Sequence, residues 1–186
     1  MRVQECSKML ERFSQFFIDS FNILPSGFWV GLILVFCLGT CVFFALLGPR
    51  KGMRWSVGLL LLEYIFLLYA TTVVFRKTQI VESHLLAPFW SYQAIWEGNE
   101  QFSTQVIMNV FAFVPVGFFL TFSFREIRWW GVLLVGILIS FGIEILQLLL
   151  HRGFAEFDDI FHNTLGCLAG SGLYHIIENL MKKNTI

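Results

Sequence analysis

Charge is what this chain has least of. Only 14% of its 186 residues are Asp, Glu, Lys or Arg, against roughly one-quarter in an ordinary soluble domain. The 13 basic residues are matched by 13 acidic ones, so no basic surface argues for a nucleic-acid partner. Cysteine is sparse too. Cys6, Cys37, Cys41 and Cys167 make no CxxC pair, which argues against a disulfide scaffold or a zinc site. No internal repeat or low-complexity tract is present, and neither HExxH nor GxSxG occurs.

What remains is apolar. Hydrophobic residues make up 56% of the chain, phenylalanine alone fills 22 positions, and the mean hydropathy is +0.70. That composition excludes a disordered chain, a coiled coil and almost any water-soluble enzyme. It describes an integral membrane protein.

A hydrocarbon slab of about 30 Å requires roughly 20 apolar helical residues. Five stretches meet or approach that length: 27–48, 55–75, 106–124, 129–150 and 161–177. All 13 Lys and Arg residues fall outside them, as the cost of a charge at the bilayer centre demands. Trp29, Trp55, Trp129 and Trp130 sit near span ends, where indole rings favour the interface. The predicted fold is an all-α polytopic membrane helix bundle of five transmembrane helices.

Residues 1–26 read differently. Val3, Cys6, Leu10, Phe13, Phe17, Phe21 and Leu24 recur every three or four positions, with Glu5, Lys8, Glu11, Arg12, Gln15 and Asp19 between them. This pattern predicts an amphipathic interfacial helix, ended by Pro25-Ser26-Gly27 and preceding a transmembrane domain over 27–186. Its apolar run is too interrupted for a signal peptide. With five spans, Arg2, Lys8, Arg12, Arg76, Lys77 and Arg152 share one side. The other seven basic residues share the side that holds the C-terminus. Setting aside the three on the amphipathic helix leaves three against seven, which favours a cytoplasmic C-terminus.

Function is written in the few polar residues at membrane depth. In the fourth span Ser140, Glu144, Gln147 and His151 line one stripe, with Glu144 about 9 Å of helix rise from the end of the span. The third span enters from the same side carrying Asn109, and the fifth starts there with Asn163. The loop between the fourth and fifth spans supplies His151, Arg152, Glu156, Asp158 and Asp159. Alternation of direction brings Asn109, Glu144, Gln147, Arg152, Asp158, Asp159 and Asn163 to one end of the bundle as a candidate polar pocket. Arg152 is expected to fold back towards Glu144. The plainer readings are a helix cap at Asp158 or Asp159 and interhelical hydrogen-bond glue at Asn109, Gln147 and Asn163. Loop 76–105, rich in Trp and Tyr, is expected to dip into headgroups, with a short helix over 91–96. Glu63 is expected to be hydrogen-bonded to Tyr64 or to a facing helix. Gly166-x-x-x-Gly170 predicts close helix approach, and Pro115 a kink in the third span.

The run NVFAFVPVG from Asn109 to Gly117, then Glu144-x-x-Gln147, Arg152 and FDDIFHNTLG from Phe157 to Gly166, resembles the VanZ-like family of bacterial membrane proteins. The matching pieces stand in order over about 70 residues and leave the N-terminal helix and first span outside. The resemblance implies a multi-pass protein of the bacterial cytoplasmic membrane. It also implies a link to glycopeptide (teicoplanin) resistance, with no reaction specified. On that reading the partners are membrane lipids and a lipid-linked cell-wall precursor or glycopeptide ligand, with Arg152 holding an anionic group. No cofactor or metal is expected. Two other readings stay open. One is an intramembrane hydrolase or transferase, using Glu144, Asp158, Asp159 and His151 or His162 with a divalent metal, or Ser171 with His175. The other is a small transporter subunit with Glu63 and Glu144 as relay groups.

Overall fold

The computed structural model describes residues 11, 14–15, 18–19, 22–77, 84–85 and 87–183, of which 84–85 and 100–101 are described by backbone alone. Most of the amphipathic stripe, at positions 3, 6, 10, 13, 17 and 21, lies outside the described residues. Its last member, Leu24, is buried.

Helix α1 (Ser26–Tyr69) ends in a π-helical turn over Ala70–Val74. A loop carries the two-residue strand β1 (His84–Leu85) and the short helix α2 (Trp90–Trp96). Helices α3 (Glu100–Ser123) and α4 (Trp129–Leu150) follow, then strand β2 (Ala155–Glu156) and helix α5 (Phe157–Lys183). β1 pairs with β2 in parallel, His84 opposite Ala155 and Leu85 opposite Glu156.

Among the described residues three helices are long and apolar enough to cross a membrane: 26–74, 102–123 and 129–150. The first is a helix folded back on itself. Gly48 takes φ 72° and ψ 175°, and Pro49 follows it. Glycine enters that region without the Cβ clash other residues meet, and proline cannot continue the hydrogen-bond ladder. Beyond the break the arms run antiparallel. Phe43 meets Trp55 near the turn at 6.2 Å, and Phe28 stacks on Phe66 far from it at 5.5 Å. The two expected spans at 27–48 and 55–75 are therefore the arms of one hairpin.

The core of the bundle is α3 against α5. Their glycines interlock: a methyl on Gly117 would stand 2.8 Å from Cys167 Cα, and one on Gly170 would stand 2.9 Å from the Phe118 amide. A methyl on Gly166 would overlap the Val110 carbonyl. Absent side chains let the backbones touch, as small residues at four-residue spacing do inside membranes. Val116 and Cys167 are fully enclosed at this contact. Pro115 sits within α3 without ending it.

Candidate functional site

The end of the bundle where α1 finishes, α3 and α5 begin and α4 ends gathers most of the polar side chains. Glu144, on the last turns of α4, is 7% exposed and accepts a hydrogen bond from the Glu156 amide at 2.8 Å. That bond ties the helix to β2. Glu156 is itself buried, and both its carboxylate oxygens accept from Gln105 Nε2 at 3.1 Å. Asp159, on the first turn of α5, accepts from Asn109 Nδ2 of α3 at 2.6 Å. Asp159 and Glu156 both lie near enough to Glu144 to act on it electrostatically.

The cation of this cluster is Arg76, which follows the π-helical turn. It acts on Glu144, Glu156 and Asp159 alike. Its guanidinium packs on Gly153, where a Cβ would come within 2.7 Å. Gly153, at φ 96°, thus provides both the left-handed turn and the space for the arginine. Burial raises the Asp159 carboxyl to about 7, reinforced by the charge on Glu156 and opposed by Arg76, while the Asn109 hydrogen bond also holds it down. Burial also raises Glu156, with the Gln105 bond and Arg76 working against it.

Arg152 points elsewhere. Instead of folding back to Glu144, its guanidinium donates to the carbonyls of Val73, at 3.3 Å, and Val74. Gln147 donates through Nε2 to the Thr72 carbonyl at 3.2 Å. The reason is local. The last carbonyls of a helix have no intrahelical partner, and a cation or amide donor in reach relieves them. Arg152 and Gln147 therefore hold the end of α1, and with it the approach to Arg76.

Asp158 turns to the opposite flank and is almost fully buried. Its carboxylate accepts from the amides of Phe89 and Ser91, at 2.5 and 3.0 Å, and from the Ser91 hydroxyl. It thereby caps α2 from a distant part of the chain. One turn on, His162 Nε2 is 2.9 Å from the Tyr92 hydroxyl. Burial and the Asp158 charge raise the Tyr92 phenol. Short helix α2 is thus fastened to the head of α5 by Asp158 and His162, and it leaves Phe89, Tyr92 and Trp96 exposed. Asn163 sits deeper and donates to Ser140 of α4 at 2.8 Å.

Of the seven sequence candidates, Asn109, Glu144 and Asp159 lie in the acid cluster. Asp158 serves α2, Asn163 joins α4 to α5, and Gln147 and Arg152 secure α1. Reading residues one at a time missed Gln105 and Arg76, and it placed Glu156 in the loop without counting it in the pocket. Gln105 carried a signal, since it stands one helical turn before Asn109 on the same face. Among the described residues no three His, Cys, Asp or Glu side chains form a group able to hold a metal ion. Ser171 engages Thr121 at 2.9 Å, and His175 lies against the ring of Tyr174.

Long apolar helices and a cluster of buried acids at one end of the bundle define the class, an α-helical membrane protein. The chain matches the VanZ/LLP1 family model over residues 55–178 and belongs to that family. The match takes in the second arm of the hairpin and all of α3 and α4, and leaves the first arm outside. Among curated proteins the chain is similar to Protein VanZ of Enterococcus faecium, 24% identical over 134 residues, which is 70% of this chain and 83% of that protein. No solved structure matches.

Proposed function

We propose that this VanZ/LLP1 protein crosses the bacterial cytoplasmic membrane five times and binds, at the outer face, the polar head of a lipid-linked cell-wall precursor or a glycopeptide antibiotic. The carrying observation is that Glu144, Glu156 and Asp159, contributed by α4, β2 and α5, converge on one end of the bundle. These three carboxyls stand there with Arg76, while Asp158 is engaged by α2 on the opposite flank. Such a cluster suits amines and hydroxyls, which donate hydrogen bonds, better than phosphates. With Arg152 engaged by the end of α1, anion binding loses the residue that sequence reasoning gave it. The exposed aromatic rings of α2 provide an apolar wall beside the acids. The doubled α1 supplies two crossings, α3 and α4 one each, and α5 the fifth.

The test is teicoplanin susceptibility of a glycopeptide-sensitive host expressing the chain. The Glu144→Gln and Asp159→Asn variants are expected to lose the protection the unaltered chain confers. Full protection from variants that reach the membrane at normal levels would remove the acid cluster from the function.

A further inference from the structure

Glu63 takes no part in the acid cluster. It lies on the second arm of α1, about one helical turn from Phe66, whose ring stacks on Phe28 near the start of the first arm. Between the arms at this level is a cavity of about 250 Å³. Trp29, Leu32 and Phe36 line it from one arm, and Leu60, Glu63 and Tyr64 from the other. Ile33, at its mouth, is 61% exposed, and the adjoining Leu34, Leu62 and Phe66 are exposed as well. All of these lie on a helix long and apolar enough to cross a membrane, so the cavity opens sideways towards lipid.

Among the described residues Glu63 is the one charged side chain lining it, and the carboxyl oxygen Oε1 is buried without a hydrogen-bond partner. The adjacent tyrosine does not serve it. Tyr64 donates to the Ala112 carbonyl of α3 at 2.8 Å. Glu63 as a whole is half-buried, and an ionisable group at membrane depth either meets a partner or keeps its proton. The walls offer apolar and aromatic surface for a chain, and the carboxylate offers a counter-charge for a cation. An anionic amphiphile would be repelled by the carboxylate, and a neutral one offers it no counter-charge.

We propose that the cleft between the arms of α1 is a binding site for an amphiphilic primary amine. The ammonium of the ligand pairs with Glu63, and its alkyl chain lies along Leu32, Phe36 and Leu60. The ligand enters laterally from the bilayer. The site is separate from the acid cluster and stands or falls independently of it.

The experiment uses the full chain in phosphatidylcholine nanodiscs, with radiolabelled dodecylamine as probe and empty nanodiscs subtracted for bulk partition. Saturable binding is expected, about tenfold tighter than that of dodecanol of the same chain length. Glu63→Gln is expected to weaken dodecylamine by a similar factor. Leu60→Trp, which fills the cleft while keeping the carboxylate, is expected to abolish saturable binding. Dodecylamine and dodecanol binding equally to the unaltered chain would overturn the proposal without any variant having to fold. Binding undiminished in Glu63→Gln, or no saturable binding at all, would overturn it too.

Discussion

The contact between α3 and α5 offers a test in which one substitution, made twice on one helix, has opposite signs. At Gly170 an added methyl would stand 2.9 Å from the Phe118 amide nitrogen and nearer still to the Val114 carbonyl oxygen. Ordinary contact for such a carbon begins at 3.4 Å, and both obstacles are backbone. Neither can swing away as a side-chain tip would, so the helices themselves must part. Parting them loosens Gly166 against Phe113 and Gly117 against Cys167 together. Overpacking of this kind costs about 1–3 kcal/mol, partly offset by alanine's helix preference over glycine, about 1 kcal/mol. Gly170→Ala is therefore expected to be destabilising by up to about 2 kcal/mol. At Gly172, two residues on, nothing lies within 4 Å of the same methyl. Only the propensity gain operates there, and Gly172→Ala is expected to be neutral or stabilising by up to about 1 kcal/mol. Reversible unfolding in mixed dodecylmaltoside–SDS micelles, followed by helical circular dichroism, gives the comparison. Equal midpoints for the two variants, or a stabilised Gly170→Ala, would refute the packing argument.

Asp158→Ala strips three donors of α2 of their acceptor, and buried orphans cost about 1–3 kcal/mol each; amide exchange at Phe89 and Ser91 should accelerate while that of mid-α4 stays slow. Arg152→Ala uncovers the carbonyls of Val73 and Val74, so exchange should rise at the end of α1, and unchanged protection would show that water replaces the guanidinium without loss. The pH dependence has a definite sign. Folding raises Asp159 from 3.8 to about 7, so the folded chain holds this proton more tightly than the unfolded one. The stability it contributes is complete below pH about 4 and is lost as pH climbs through 7. Glu156, also raised, acts in the same direction. Asp159→Asn should flatten the fall in thermal stability between pH 4 and 8, and an unchanged slope would place the titration elsewhere.

How much of this was legible beforehand differs from residue to residue. The hydrophobic runs at 129–150 and 106–124 mark α4 and α3 because twenty apolar residues in succession have few other fates. The pair Gly166 and Gly170 announced a close contact, since no other residue type leaves a backbone bare at that spacing. Asn109 and Asp159 could be assigned to one end of the bundle by counting span directions. Arg152 was different. Sequence spacing put it on the line of Glu144, yet the left-handed turn at His151, φ 51°, ends α4 and redirects the chain. The guanidinium then meets bare carbonyls at the end of α1. Arg76 was unreadable as the cation near the acids because 68 positions separate it from Glu144, and nothing local encodes that approach.

Composition and spacing alone require a bundle of apolar helices with every Lys and Arg outside the apolar runs, because the transfer cost of a charge is a property of each residue. Which donor meets which acceptor was decided only by tertiary structure. Asp158 to Ser91, Asp159 to Asn109 and Arg152 to the π-helical turn are matters of distance between segments. Such distances depend on how closely α3 and α5 approach at their glycines and on where the hairpin of α1 delivers its final carbonyls.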